Sequence, residues 1–206
     1  MRVRLCEFGY GNVGSLSAAL GEAGFQSVEI VSDIDPSDLS LLVLPGVGDF
    51  SHAMRELGDR RASALRAAVD HGTPLVGICL GMQLLFGHSS ESGGASGLGI
   101  INGNVDQIGF SDQRLPHVGW NSVDFIAGSP LGEGLPASAD FYFTHSYFCR
   151  PERPADVLGV TEYGSKFCSA VHHGNVVGLQ FHPEKSGANG LKVLRNLADW
   201  SCRHGA

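Results

Sequence analysis

Cysteine, histidine and glutamate can together carry out acyl transfer, and the settings of Cys79, His182 and Glu184 favour that chemistry. Gly77-Ile78-Cys79-Leu80-Gly81 repeats the G-x-nucleophile-x-G pattern of a nucleophile elbow, with cysteine in place of serine. Glycines on either side allow a turn too tight for side chains, and the turn presents the sulfur at a helix start. Free N–H groups and the positive end of the helix dipole there favour thiolate over thiol. A lone cysteine in an apolar run can equally be a buried filler, so the elbow needs a partner. A thiol nucleophile requires a base, and the base requires a third group to hold its tautomer and orientation. His182-Pro183-Glu184 follows the apolar run Val176–Phe181. Residues two apart in extended chain emerge on the same face, and Pro183 cannot continue a helix. His145 is a rival base, but no carboxylate stands two residues after it.

The elements needed to position these residues can be read around them. Val3–Glu7 predicts a strand, followed by a glycine-rich loop and a helix over Ser15–Ala23 closed by Gly24. Strands follow at Ser27–Val31 and Leu41–Leu44, and a helix at Ala62–Asp70 ends at Gly72. Pro74 opens the elbow strand Leu75–Ile78, and Gly81–Phe86 reads as the opening of the next helix. Such alternation implies an α/β fold: an open, mostly parallel twisted sheet flanked by helices. From Gly103 the pattern becomes hairpin-like, adding antiparallel strands in the second half. The last helix, Ala188–Cys202, keeps Leu191, Leu194, Leu197 and Ala198 at core spacing. Ser89–Gly97 reads as a loop, and His172-His173 as a solvated pair before a turn. The stretch Gly9–Gly14 invites a dinucleotide reading. The second strand ends at Val31 with no acidic partner, so a nucleotide site is not expected.

Composition sets the outer limits. A chain of 206 residues with 43% hydrophobic content suits a single domain over 1–206. The net charge of −7 is dispersed, and no basic stripe points to nucleic acid. Apolar runs are strand-length, so no membrane span is expected, and the first residues carry no signal-peptide pattern. Five cysteines without C-x-x-C spacing (Cys6, Cys79, Cys149, Cys168 and Cys202) fit reduced thiols in a cytoplasm, with neither metal site nor cofactor expected.

Gly77–Gln83 and Gln180–Gly187 resemble class I, triad-type glutamine amidotransferases. More narrowly, the chain is similar to the glutaminase subunits of imidazole glycerol phosphate synthases. That narrower resemblance is carried by Phe8–Asn12, Leu44–Gly48, Gly97–Ile101, Leu115–Asn121 and Tyr142–Tyr147. It departs from the family at Glu7-Phe8, where Asp-Tyr is usual, and at Thr144, where an apolar residue is common. The resemblance implies hydrolysis of L-glutamine through a Cys79 thioester, with His182 and Glu184 completing the triad. The N–H of Leu80 and the Val47-Gly48 peptide would hold the oxyanion. Gly46, Gln83, Glu91, Tyr142, Ser146 and Tyr147 would approach the substrate. It implies a (β/α)8-barrel synthase partner in a heterodimer, met through Asn12, Trp120, Asn121 and Lys185. That partner would use the ammonia to convert PRFAR to imidazole glycerol phosphate and AICAR in histidine biosynthesis. The chain has no Walker A pattern or acceptor-binding domain with which to use ammonia itself. The same residues also fit an amidotransferase feeding amidinated-sugar synthesis for surface polysaccharide, a non-catalytic regulatory subunit, or a cysteine peptidase of similar fold. The complete triad argues against the regulatory reading, and Gln83 with Glu91 argues against the peptidase.

Overall fold

Strands with no polar face need a sheet covered on both sides, and the chain builds one. The computed structural model describes residues 2–7, 13–35, 41–109 and 114–204. Asn12, and with it Gly9–Gly11, lies outside the described residues. In chain order, β1 (Arg2–Cys6), α1 (Val13–Glu22), β2 (Ser27–Val31) and β3 (Leu41–Leu44) open the fold. They are followed by α2 (Phe50–Asp70), β4 (Leu75–Ile78), α3 (Leu80–Leu84), β5 (Phe86–Ser89), β6 (Ala95–Ser96) and β7 (Ile101–Gln107). The second half adds β8 (His117–Phe125), β9 (Ser138–His145), β10 (Tyr147–Pro151), β11 (Val157–Tyr163), β12 (Ser165–His173), β13 (Val176–Leu179) and α4 (Gly187–His204).

Five neighbouring strands, β2-β1-β3-β4-β13, run parallel. The sheet continues through β12, β10, β7, β5 and β6, while β11, β8 and β9 branch from β12. These later pairings are antiparallel except for β5 with β7. The parallel block is therefore the expected α/β sheet, and the antiparallel part is larger than the strand alternation suggested.

Alternate residues of one strand serve two cores. Leu41 and Val43 of β3 pack with Leu16 and Leu20 of α1 and with Leu194, Leu197 and Trp200 of α4. Leu42 and Leu44 pack on the other side with Phe50, Leu57 and Leu65 of α2. Helices thus cover both faces, as the class requires.

Some elements differ from expectation. Helix α2 begins twelve residues before Ala62. The Asp49 side chain caps it by accepting from the His52 N–H at 2.7 Å. Gly58 interrupts it at φ 69°, ψ 161°, leaving two helical pieces. Helix α3 is only five residues long, and Phe86 already belongs to β5. The Ser89–Gly97 stretch holds the end of β5, a 3₁₀ turn at Glu91–Gly93 and the short strand β6. His172 is not a solvated group: its ring packs edge-on against Trp200 and His204, and burial lowers its pKa. His173 faces Asp156 at 3.3 Å.

Candidate active site

The elbow is as tight as its glycines require. A Cβ on Gly77 would lie 2.5 Å from the Gly81 carbonyl oxygen, and one on Gly81 would overlap the Leu44 carbonyl. Between them Cys79 adopts φ 55°, ψ −111°, a region that non-glycine residues rarely occupy. Its N–H bonds Leu179 O of the neighbouring strand at 2.7 Å, which anchors the strained residue from outside the turn. Leu80 is the first residue of α3, so its N–H has no intrahelical acceptor. With five residues, α3 carries little macrodipole; its free N–H groups are what it offers an anion.

His182 and Glu184 leave β13 on a 3₁₀ turn, Pro183–Lys185, held by Ser186. The Ser186 hydroxyl donates to His182 O at 2.6 Å and accepts from the Tyr142 N–H at 2.9 Å. The two site residues are bonded as expected, Nδ1 to Oε1 at 2.8 Å, with side chains only 3% and 4% exposed. Burial alone would lower the His182 pKa. The nearby Cys79 sulfur and the Glu184 carboxylate bonded at Nδ1 outweigh it and raise it to about 9. Nε2 has no well-aligned hydrogen bond, so the thiol acts on it as a close neighbour and the atom stays uncommitted. A raised imidazole beside a thiol favours transfer of the sulfur's proton to nitrogen.

The sulfur faces a cavity of about 420 Å³. Val47, Gly48 and Leu80 line it on one side, and Gln83, Glu91, Ser146 and Tyr147 on another. Glu91 accepts from the Phe50 N–H at the start of α2 at 2.8 Å, and burial raises its pKa. Gly46 lies behind the wall, where a Cβ would come 3.0 Å from Leu80 Cβ. Gly48 has φ +107°, which favours glycine, and open space around it. Two larger voids, one along α2 between Asp49 and Arg66 and one between Phe125 and Arg203, are lined by neither cysteine nor histidine among the described residues.

Tyr142 does not line this cavity. It stands opposite Trp120 in the β8–β9 ladder, and the two rings meet edge-on at 6.3 Å. Lys185 lies over its ring at 5.7 Å and also reaches the cavity. Trp120 is 59% exposed, and Val118 on the same strand face is exposed too. Asn121 is turned to the chain itself: its Nδ2 donates to Glu162 O at 2.9 Å and contacts His117 Nε2 at 3.3 Å.

The rival base is occupied. His145 Nδ1 lies 2.8 Å from Tyr147 O, which can only accept, so that nitrogen carries the proton. Its Nε2 therefore accepts from His117 Nδ1 at 3.1 Å. Burial lowers His145 to about 3 and His117 to about 4, and both stay neutral.

Gln180 enters the sequence motif only as its opening residue, yet it is fully buried and meets the Cys79 sulfur. Gln180 Nε2 lies 3.7 Å from Cys79 Sγ, and Gln83 Nε2 donates to Gln180 Oε1 at 3.2 Å. A polar residue closing an apolar strand is the one signal that could have singled it out.

With this geometry in place, comparison with known proteins is decisive. The family described as "Glutamine amidotransferase class-I" matches residues 5–199. The chain belongs to that family. The imidazole glycerol phosphate synthase subunit HisH of Moorella thermoacetica is 40% identical over 201 residues, covering 96% of this chain and 94% of that protein. The HisH subunit of Aquifex aeolicus is 43% identical, covering 96% of each. That of Thermococcus kodakarensis is 45% identical, covering 95% of this chain and 98% of its own. Such relatives do not favour the polysaccharide reading. Among solved structures, PurLQS from Thermotoga maritima superposes with a TM-score of 0.73 at 20% identity, covering 97% of this chain and 98% of that one. A glutamine amidotransferase from Thermotoga maritima gives 0.65 at 18% identity, with 97% and 82% covered. At that identity these two show the fold alone. Among the described residues, no helix is long and apolar enough to cross a membrane.

Proposed function

We propose that residues 1–206 form a single glutaminase domain that releases ammonia from L-glutamine and passes it to a synthase subunit in histidine biosynthesis. The reading is supported above all by the buried Cys79–His182–Glu184 set at one wall of a cavity sized for a free amino acid. Cys79 Sγ gives its proton to His182 and attacks the amide carbon of glutamine. The resulting oxyanion is held by the N–H of Leu80 and by the Val47-Gly48 peptide. His182 protonates the departing nitrogen, the C–N bond breaks, and a γ-glutamyl thioester remains. His182 then takes a proton from water, whose oxygen displaces the sulfur and frees glutamate. Glu184 keeps the imidazole's Nε2 directed at the sulfur. Gln83, Glu91, Ser146 and Tyr147 hold the substrate's charged end, Glu91 meeting its ammonium group, while Gly46 behind the wall carries the loop of Val47 and Gly48. Tyr142 serves this role only indirectly, since its ring faces Trp120 and Lys185.

Ammonia in neutral water becomes ammonium, so it must leave through protein. The HisH relatives are named as synthase subunits. We place a (β/α)8-barrel partner, in a cytoplasmic heterodimer, over the exposed face of Val118 and Trp120, which shares Lys185 with the cavity. There the ammonia would convert PRFAR to imidazole glycerol phosphate and AICAR. Asn12 belongs to the same proposed contact; Asn121 supports it from behind.

The test is Cys79→Ala in the assembled complex. Glutamine-dependent synthesis should disappear, while synthesis from added ammonium salts persists. Loss of both in an intact complex would overturn the division of labour.

A further inference from the structure

We propose that Gln180 is a hydrogen-bond donor to the Cys79 thiolate and that Gln83 is the positioning residue that aims it. This rests on Cys79 being the nucleophile and adds a residue to its activation. Amide orientation follows from the partners. Tyr147 O can only accept, so the Gln83 NH₂ group must face it, at 3.0 Å. The same nitrogen lies 3.2 Å from Gln180 Oε1, which leaves Gln180 Nε2 toward Sγ at 3.7 Å, within range for the larger sulfur atom. Gln180 is fully buried and its own N–H is held by Ser169 O at 2.9 Å, so the side chain starts from a fixed backbone.

The two contacts of the sulfur are opposite in kind. The thiol donates to Thr144 O at 3.9 Å, an interaction that exists only while the proton is present. The amide of Gln180 serves a charged sulfur better than a neutral one. Once Sγ–H passes its proton to His182 Nε2, the Thr144 carbonyl becomes unfavourable and the Gln180 N–H becomes the fixed donor. Gln180 exchanges no proton itself. In the thioester the sulfur loses its charge and that stabilisation weakens, so the donor acts on the step that forms the nucleophile.

Other titratable groups also face the sulfur. His182 carries Glu184 behind it, His145 is neutral, Cys149 is fully buried, and Glu91, Tyr147 and Lys185 share the cavity wall. The test must therefore compare variants at Gln180 and not one pH profile alone. Gln180→Met keeps length without a donor; Gln180→Glu removes the donor and adds a charge. Iodoacetamide alkylation of the Cys79 peptide, followed by mass spectrometry across pH, reads the thiolate directly and separates it from exposed Cys202. The midpoint should rise from wild type to Gln180→Met by about one pH unit, and further in Gln180→Glu. In the complex, glutaminase kcat should fall about tenfold or more, with a smaller change in KM. Coincident midpoints in folded variants would overturn the proposal. Where a variant does not fold, side-chain amide NMR of the wild-type chain decides: the Gln180 NH₂ resonances should move as Cys79 ionises and stop responding once it is alkylated. No response overturns it as well. A chain whose Cys79→Ala variant retained glutaminase activity would instead refute the nucleophile assignment.

Discussion

The proton shared between His182 and its neighbours makes the triad measurable without an activity assay. His182 is raised from 6.5 to about 9 in the folded chain, so the fold binds this proton more tightly than the unfolded chain does. Its stabilising contribution is fully present below pH 6.5 and is lost as pH rises through about 9. Glu184→Gln removes one of the groups that raise it, at the 2.8 Å contact. Thermal midpoints of the wild type should therefore fall between pH 6.5 and 9 by more than those of the variant, as read by scanning calorimetry. Equal falls would show that Glu184 does not hold the proton. At this scale the proposed triad was legible because each part sits in a short contiguous motif with its own chemistry. Gln180 was not, because its partners Gln83 and Cys79 lie 97 and 101 residues away. Tyr142 belonged to a motif whose spacing says nothing about facing, and the strand alternation turns it toward Trp120.

Glycine placement governs the elements around Cys79. At Gly81 a methyl group would overlap the backbone carbonyl of Leu44, and two backbones cannot step aside as a flexible side chain can. Gly81→Ala should cost upward of about 2 kcal/mol. Gly21 in α1 meets nothing within 4 Å, so Gly21→Ala should gain about 0.5–1 kcal/mol from better helix propensity. Urea unfolding of the two variants side by side checks both signs, and a Gly81→Ala midpoint equal to wild type would contradict the packing argument. The elements that were misread have physical causes. Gly58 breaks the helical pattern of α2, and the start of that helix announces itself only through its Asp49 cap. The run Gly81–Phe86 is buried on every side, so no periodicity separates its helical part from the strand that begins at Phe86.

At the scale of the molecule, three neighbouring parallel strands deliver three parts of the proposed site. Strands β3 and β13 flank β4, with Leu44 beside Gly77 and Leu179 beside Ile78, so the loops leaving their C-terminal ends converge on Cys79. Alternation of strands and helices predicted a parallel sheet, but nothing in the sequence pattern says that a strand from residue 176 inserts beside one from residue 75. That insertion brings His182 to the sulfur, while β3 contributes the loop of Gly46, Val47 and Gly48. Glycines on both sides leave the Val47 peptide free to turn, and Gly48 already sits at φ +107°. An oxyanion donor is worth about 3 kcal/mol when correctly aimed, so one misdirected peptide can hold the free chain at a small fraction of its rate. We therefore expect the isolated chain to bind glutamine yet hydrolyse it slowly. A partner carrying its nucleotide, seated on the face of Trp120, should raise kcat by two orders of magnitude or more. KM should change less, because the missing contact is made chiefly in the transition state. Steady-state kinetics of the free chain against the liganded complex provides the measurement. Full activity in the free chain, or a change confined to KM, would mean that the Val47 loop is not the switch.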